Sequence, residues 1–163
     1  MMELFKEFGM TDNTRITHEC ALQDFNKALS AAMRSHIAEY KIGDIESSIK
    51  MCCETEAVQK KKGVFGGSEK ALQGLILTEH WLIWAETVGG KATTAGSARL
   101  DQIDMRDYES TAMFGIIPDS GVNITGRYSD SNQTGQFFIG LDTSPAGKKF
   151  RELLREAIKN SKE

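Results

Sequence analysis

The stretch QFFIGLDTSPAGKKFRELLREAI, residues 136–158, decides the fold, because the spacing of its apolar residues changes partway along it. Residues 136–141 predict a strand. After Asp142 the apolar side chains recur every three or four residues, which is the period of an amphipathic helix. Ser144 suits the N-cap of that helix and Pro145 suits its first position. The apolar stripe comprises Ala146, Phe150, Leu153, Leu154, Ala157 and Ile158.

Six segments upstream have the alternating or short apolar pattern of strands. They lie at 49–57, 72–78, 81–86, 92–99, 102–108 and 122–128. Together with 136–141 they make seven strands, and one amphipathic helix follows them. We therefore expect a mainly β protein with helices, built as a seven-stranded antiparallel barrel or sandwich whose open end is capped by the C-terminal helix.

The first forty or so residues predict helix instead. Thr17 is a plausible N-cap for it and Gly43 a plausible stop. Its apolar stripe comprises Leu22, Phe25, Leu29, Ala32, Met33, His36, Ile37 and Tyr40. We therefore divide the chain into an N-terminal helical extension, 1–43, and a β domain, 44–163. The stripe packs either on its own β domain or on another chain, and in the second case Phe25, Leu29 and Met33 are candidate partner-binding residues.

Alternation along the predicted strands assigns neighbouring side chains to opposite faces. Of Trp81 and Trp84, one is expected in the core and the other outside, where a helix could cover it. We expect Cys53 in the core and Cys52 as an outward thiol. With Cys20 these are too few cysteines for a disulfide framework, and adjacent thiols on a strand do not converge on a metal ion, so neither a metal nor a cofactor is expected.

Composition narrows the possible partners and the compartment. The formal net charge is -3, with acidic and basic residues interspersed, so no basic field attracts nucleic acid. The first ten residues carry charges where a signal peptide would be apolar, and no segment has the ~20 apolar residues of a membrane span. We therefore expect a cytoplasmic protein without a transmembrane segment.

Three segments resemble the bacterial pleckstrin-homology-like (PH-like) domains, and the second is also similar to a hairpin of GRAM domains. They are GVFGG at 63–67, LILTEHWLIW at 75–84 and LDQI at 100–103, and they occur in the order of a loop, a hairpin and a strand in that family. The resemblance implies a seven-stranded fold closed by a C-terminal helix. It also implies a loose association with lipids, peptides or further copies of the same chain, in the bacterial cytoplasm.

A lysine-rich loop supplies the best local anion site. In a PH-like fold the lysines of this loop gather with Lys91 at one end of the barrel, where each could contribute about 1 kcal/mol near an anionic surface. The candidate lipid-binding or phosphate-binding residues are Lys60, Lys61, Lys62, Lys70 and Lys91. Residues 71–75, ALQGL, lack the arginine that phosphoinositide-binding PH domains carry there, which argues against specific head-group recognition. Phe65, beside the lysines, could insert into a membrane or a partner.

No catalytic constellation is recognisable in the sequence, since nucleophile, base and paired carboxylates lack any motif spacing. We therefore expect a non-enzymatic interaction module that mediates protein contact or homo-oligomerisation. The alternative is a peripheral module that binds anionic lipid through the lysine-rich loop.

Overall fold

The computed structural model describes residues 12–60, 68–89, 91–131 and 133–163. Ten helices and strands longer than a single 3₁₀ turn occur in this part of the chain. In order they are β1 (Asp12–Cys20), α1 (Lys27–Glu39), β2 (Ile49–Lys60), β3 (Ser68–Thr78), β4 (Trp81–Val88), β5 (Thr94–Arg99), β6 (Ile103–Asp107), β7 (Gly121–Arg127), β8 (Thr134–Gly140) and α2 (Pro145–Ser161).

The strands form two antiparallel sheets. The first sheet has the order β1-β2-β3-β4-β5 and the second has the order β6-β7-β8. The mainly β architecture with a C-terminal helix is therefore confirmed, whereas a closed barrel is not formed. At one corner the described residues of the two sheets meet through a backbone hydrogen bond of 2.9 Å from Ser129 N to Ser97 O, which does not extend into a ladder among them.

The main core lies between the two sheets and is closed by α2. Phe150 and Leu154 of α2 are fully buried there, and Ile158 is 6% exposed. The predicted start of the helix is also correct, since Ser144 Oγ accepts a hydrogen bond from Gly147 N and Pro145 occupies the first turn. The apolar face of α2 therefore fills the space that two open sheets would leave exposed to water.

The helix predicted for the N-terminal segment is wrong at Asp12–Cys20. These residues form β1, which pairs antiparallel with β2, and Thr17 lies within the strand opposite Thr55. Helix α1 begins at Lys27 instead, where the Asn26 side chain accepts a hydrogen bond from Ala28 N. Residues 1–11 lie outside the described part of the chain.

The side chains of β1 that face the second sheet are polar. They bond to residues that are distant in sequence. Arg15 contacts Asp119 with two hydrogen bonds of 2.6 and 2.8 Å. At the end of the strand, Lys149 Nζ lies 2.5 Å from a carboxylate oxygen of Glu19. A strand whose inward face is polar gives no alternating hydrophobic signal, which explains the wrong prediction.

Asp142 joins β1 to the start of α2. Its carboxylate accepts hydrogen bonds from Thr17 N at 2.9 Å and from Ser144 N at 3.1 Å and Ser144 Oγ at 2.5 Å. Burial alone would raise the pKa of Asp142, but the hydrogen bonds from Ser144 and Thr17 outweigh it and hold the pKa below its ordinary value. The ionised carboxylate is therefore part of the connection between β1 and α2.

Helix α1 covers the outer face of the first sheet, the face turned away from the second sheet. Phe25, Leu29 and Met33 are 5%, 0% and 2% exposed and pack in a second core with Ile76 and Ile83. Of the two fates that the sequence left open for this stripe, the structure therefore contains packing on the same chain.

Alternation within the strands places side chains on the expected faces for all four residues considered. Trp84 lies in the main core, and Trp81 packs on the other face against the core under α1. Cys53 is fully buried in the main core. Cys52 points to the outer face as predicted, but it is not exposed to solvent, because α1 covers that face and leaves the residue only 3% exposed.

Candidate functional site

The predicted lysine site is only partly within the described residues. Lys61, Lys62 and Phe65 lie outside them, and of Lys60 only the backbone is described, at the end of β2. Lys70 and Lys91 lie at one end of the first sheet, since Lys70 O accepts from Gly89 N at 3.0 Å and Lys91 N donates to Val88 O at 3.1 Å.

The charges at this end are mixed. The Lys70 ammonium lies 3.2 Å from the Glu56 carboxylate, on the outer face of the sheet, and Lys91 is exposed. The two lysines therefore share an end of the sheet, but the described side chains do not form a cluster of free cations.

A cavity of about 310 Å³ opens at this end between β8 and the inner face of the first sheet. We call it the inter-sheet slot. Its polar lining includes Arg15, Gln73 and Glu86, and the rings of Phe137 and Phe138 form part of its wall. It has the size of a small ligand site but not the lining of an anion site.

Gln73 fixes the width of the inter-sheet slot by bonding to the outer edge of β8. Gly140 N donates to Gln73 Oε1 at 3.1 Å, and Gln73 Nε2 lies 3.4 Å from Phe138 O. The Gln73 amide therefore bonds to backbone groups on the free edge of β8, which a further strand would otherwise pair. Gln73 Nε2 also approaches Glu86 Oε2 at 3.5 Å.

Arg15 supplies a positive charge to the inter-sheet slot, but this charge is neutralised. Its guanidinium is held by the bidentate contact with Asp119 and lies 5.2 Å from the centre of the Phe138 ring. Sequence reasoning missed both Arg15 and Gln73, because their partners lie 104 and 65–67 residues away and leave no local pattern.

A histidine and a serine meet under α1. His36 Nε2 lies 2.7 Å from Ser97 Oγ, which donates to Ser129 Oγ at 2.7 Å. The distance suits a nucleophile and its base, but Ser97 is 1% exposed and His36 is 5% exposed. Burial lowers the pKa of His36, against the opposing effects of Asp130 and Glu39. The contact therefore joins α1 to β5 in a buried position.

The thiols are poor nucleophiles. Burial raises the pKa of Cys20 to about 12 and that of Cys52 to about 11, and it raises the pKa of Cys53 well above the ordinary value. Because the thiolate is the reactive form, these cysteines are weakly reactive at neutral pH. Among the residues that the structure describes, no group of three acidic, histidine or cysteine side chains is placed to hold a metal ion.

A second and larger cavity, of about 530 Å³, lies between α1 and the segment 41–46. We call it the α1 groove. Its apolar lining includes Leu22, Phe25, Met33, Ile37, Ala38, Ile45 and Ile76. Arg34, Lys41, Asp44 and Glu46 lie at its exposed rim. Within the described residues neither Arg34 nor Lys41 has an ion-pair partner, and the four rim charges balance.

The connection between β6 and β7 exposes three large apolar side chains. Met113 is 43% exposed, Phe114 is 38% exposed and Ile116 is 40% exposed. We call residues 111–118, which carry these three side chains, the apolar loop. Residues 111–118 read TAMFGIIP and contain no charged side chain. The signal in the sequence is an apolar run, broken by Gly and Pro, that fits neither the period of a helix nor that of a strand.

Hydrogen bonds hold the apolar loop in one conformation. Tyr108 Oη donates to Ile117 O at 2.6 Å, and Ile117 N donates to Met113 O at 2.7 Å. Thr111 Oγ1 donates to Tyr108 O at 2.7 Å. The loop is therefore a hydrogen-bonded turn that exposes its apolar side chains to solvent.

The base of this loop is tied to α2 by ion pairs. Glu109 accepts hydrogen bonds from Gly121 N at 3.0 Å and from Arg151 at 2.7 Å, and Arg155 contacts Asp107 at 2.8 Å. Burial alone would raise the pKa of Glu109, but these hydrogen bonds hold it below its ordinary value. The charges beside the apolar loop are therefore already paired.

Within the described residues no helix is both long enough and apolar enough to cross a bilayer. No protein-family model matches the sequence, and comparisons with curated proteins and with solved structures found no match. What the chain does is therefore inferred from its own geometry.

Proposed function

We propose that the chain is a non-enzymatic, PH-like interaction module that associates with further copies of itself through the apolar loop. The observation that carries this function is the exposure of Met113, Phe114 and Ile116 on a turn held by its own hydrogen bonds. A turn that is already ordered loses little conformational freedom on binding, so burial of these side chains produces affinity. Apolar side chains grouped at the surface are typical of an interaction site.

The order of the strands supports the PH-like part of the proposal. Strands β2–β5 are four consecutive antiparallel strands of the first sheet, β6–β8 form the second sheet, and α2 follows them. This is the succession of seven strands and one helix that the resemblance implies. Strand β1 is an addition at the edge of the first sheet.

Two features support a non-enzymatic role. The pair of His36 and Ser97 is buried under α1, where a substrate has no access. The three cysteines have raised pKa values and remain thiols at neutral pH.

Sedimentation velocity tests the proposed self-association. We expect the weight-average sedimentation coefficient of the full chain to rise from low micromolar to several hundred micromolar concentration. Phe114→Ser should suppress this rise, because it removes the largest exposed side chain of the apolar loop. Ile16→Ser is the matched control, since Ile16 is another exposed apolar residue, 47% accessible, on β1. A chain that stays monomeric throughout, or that loses association equally in both variants, contradicts the proposal.

The alternative function, binding to anionic lipid, rests on Lys60, Lys61, Lys62, Lys70 and Lys91. It is favoured by the position of Lys70 and Lys91 at one end of the first sheet with both side chains exposed. Co-sedimentation with phosphatidylserine vesicles at low and high salt tests it, because an electrostatic attachment weakens with ionic strength. Salt-sensitive binding that is lost when Lys60, Lys61 and Lys62 become Gln supports the alternative.

The matched control for that experiment also removes three positive charges, by replacing Lys27 of α1 and Lys148 and Lys159 of α2, all exposed, by Gln. Equal binding by both sets of variants would indicate adsorption without a site. Absence of binding together with concentration-dependent association supports the leading proposal.

A further inference from the structure

We propose that the apolar loop of one copy inserts into the α1 groove of the next copy, so that the chain assembles head to tail. This inference rests on the proposed self-association and names the surface that receives the loop. The contact is between two different patches, so it differs from a symmetric dimer in which the same loop meets itself.

The sizes of the two surfaces agree. The side chains of Met113, Phe114 and Ile116 together contain about 15 non-hydrogen atoms, and with the ~30 Å³ of a whole water molecule as an upper limit for each atom they fill at most about 450 Å³. The α1 groove has about 530 Å³ and accommodates all three. The inter-sheet slot, at about 310 Å³, falls below this upper limit and is the smaller of the two cavities.

The chemistry of the two surfaces agrees as well. Residues 111–118 carry no charge, so their insertion removes no charged group from water. The floor of the α1 groove is apolar, and its balanced rim charges stay at the surface. The inter-sheet slot would instead place the same side chains against Arg15, Gln73 and Glu86.

The position of the two surfaces excludes contact within one chain. The α1 groove lies on the outer face of the first sheet, where α1 packs on β3, β4 and β5. The apolar loop belongs to the second sheet, on the other side of the first, where Tyr108 contacts Phe138 with ring centroids 5.2 Å apart. Each copy that binds therefore leaves one loop and one groove unoccupied, and assembly continues to a ring or an open chain.

Two complementary variants test this geometry. Ala38 is an exposed residue of α1 that lines the groove, so Ala38→Trp fills the groove and leaves the loop intact. Phe114→Ser removes the largest apolar side chain of the loop and leaves the groove intact. We expect each variant alone to be monomeric at concentrations where the unsubstituted chain associates. An equimolar mixture should form a heterodimer, because one functional groove and one functional loop remain, and growth should stop there.

Ser35→Trp is the matched control for Ala38→Trp, because Ser35 is an exposed residue of α1 that does not line the groove. It should associate like the unsubstituted chain. Circular dichroism and thermal unfolding of all three variants verify that each is folded before it is mixed.

The outcomes separate this inference from the function on which it rests. If Ala38→Trp associates normally, or if the mixture stays monomeric while the unsubstituted chain associates through Phe114, the groove does not receive the loop and only the further inference fails. A partner other than a second copy is then the remaining occupant of the groove. If the unsubstituted chain never associates, the proposed function fails together with it.

Discussion

Replacing Leu154 by Ala measures how far α2 closes the sandwich. Leu154 is fully buried in the main core. The substitution removes three carbon atoms, which at about 0.8 kcal/mol each gives about 2.4 kcal/mol of lost transfer free energy. A residual cavity adds to this, and measured losses for buried Leu→Ala changes are about 2.7–5.0 kcal/mol. We therefore expect the free energy of unfolding to fall by about 3.5 kcal/mol and the melting temperature by about 10 °C.

Urea unfolding followed by circular dichroism measures this loss, with the free energy extrapolated linearly to water. Leu153→Ala is the matched control, since Leu153 is the adjacent leucine of α2 and is only partly buried. Both variants change helix propensity equally, so the difference between them reports burial. A loss for Leu154→Ala no larger than that for Leu153→Ala would refute the closure of the sheets by this face of α2.

Three further substitutions test other contacts. Gly96→Ala should cost about 1–3 kcal/mol in urea unfolding, because its Cβ would lie 2.6 Å from the Trp84 ring, whereas Gly115→Ala has no neighbour within 4 Å and should be nearly neutral. Asp142→Asn should cost about 2 kcal/mol at neutral pH. Because the native pKa of Asp142 is lowered, the stabilisation by its carboxylate is fully present above the unfolded pKa of about 3.9 and is lost as the pH falls through the native pKa. The free energies of unfolding of the two proteins, measured against pH, should therefore converge in acid. Because the native pKa of His36 is lowered, the unfolded state binds the proton more strongly, so the free energy of unfolding should decrease as the pH falls below ~6.5. His36→Gln should reduce this dependence on pH. An unchanged dependence contradicts the burial of the imidazole.

The elements whose periodicity is strong were predicted well. Strands β2 to β8 and α2 appear near the predicted positions, because a strand with one apolar face and a helix with one apolar stripe each reveal their period locally. The same reasoning placed Trp81 and Trp84 on opposite faces. It also identified Ser144 and Pro145 as the start of α2.

The candidate sites were less predictable. The lysine-rich loop was chosen for its local charge, but whether Lys70 is free depends on Glu56, and only the pairing of β2 with β3 brings the two side chains together. The α1 groove depends on how α1 packs on the first sheet. Sequence reasoning missed the apolar loop, because an apolar run without a helix or strand period does not reveal whether Phe114 points inward or outward.

The sequence by itself determined which segments alternate, which segment caps the sheets and that the two tryptophans lie on opposite faces, since these properties depend on neighbours a few residues away. Tertiary structure alone decided that residues 12–20 are a strand and that Cys52 is buried. In both cases the outcome depends on contacts with residues that are distant in sequence. The polar inward side of β1 is stabilised by groups more than one hundred residues distant, and the outer face of the first sheet is buried only because a helix covers it.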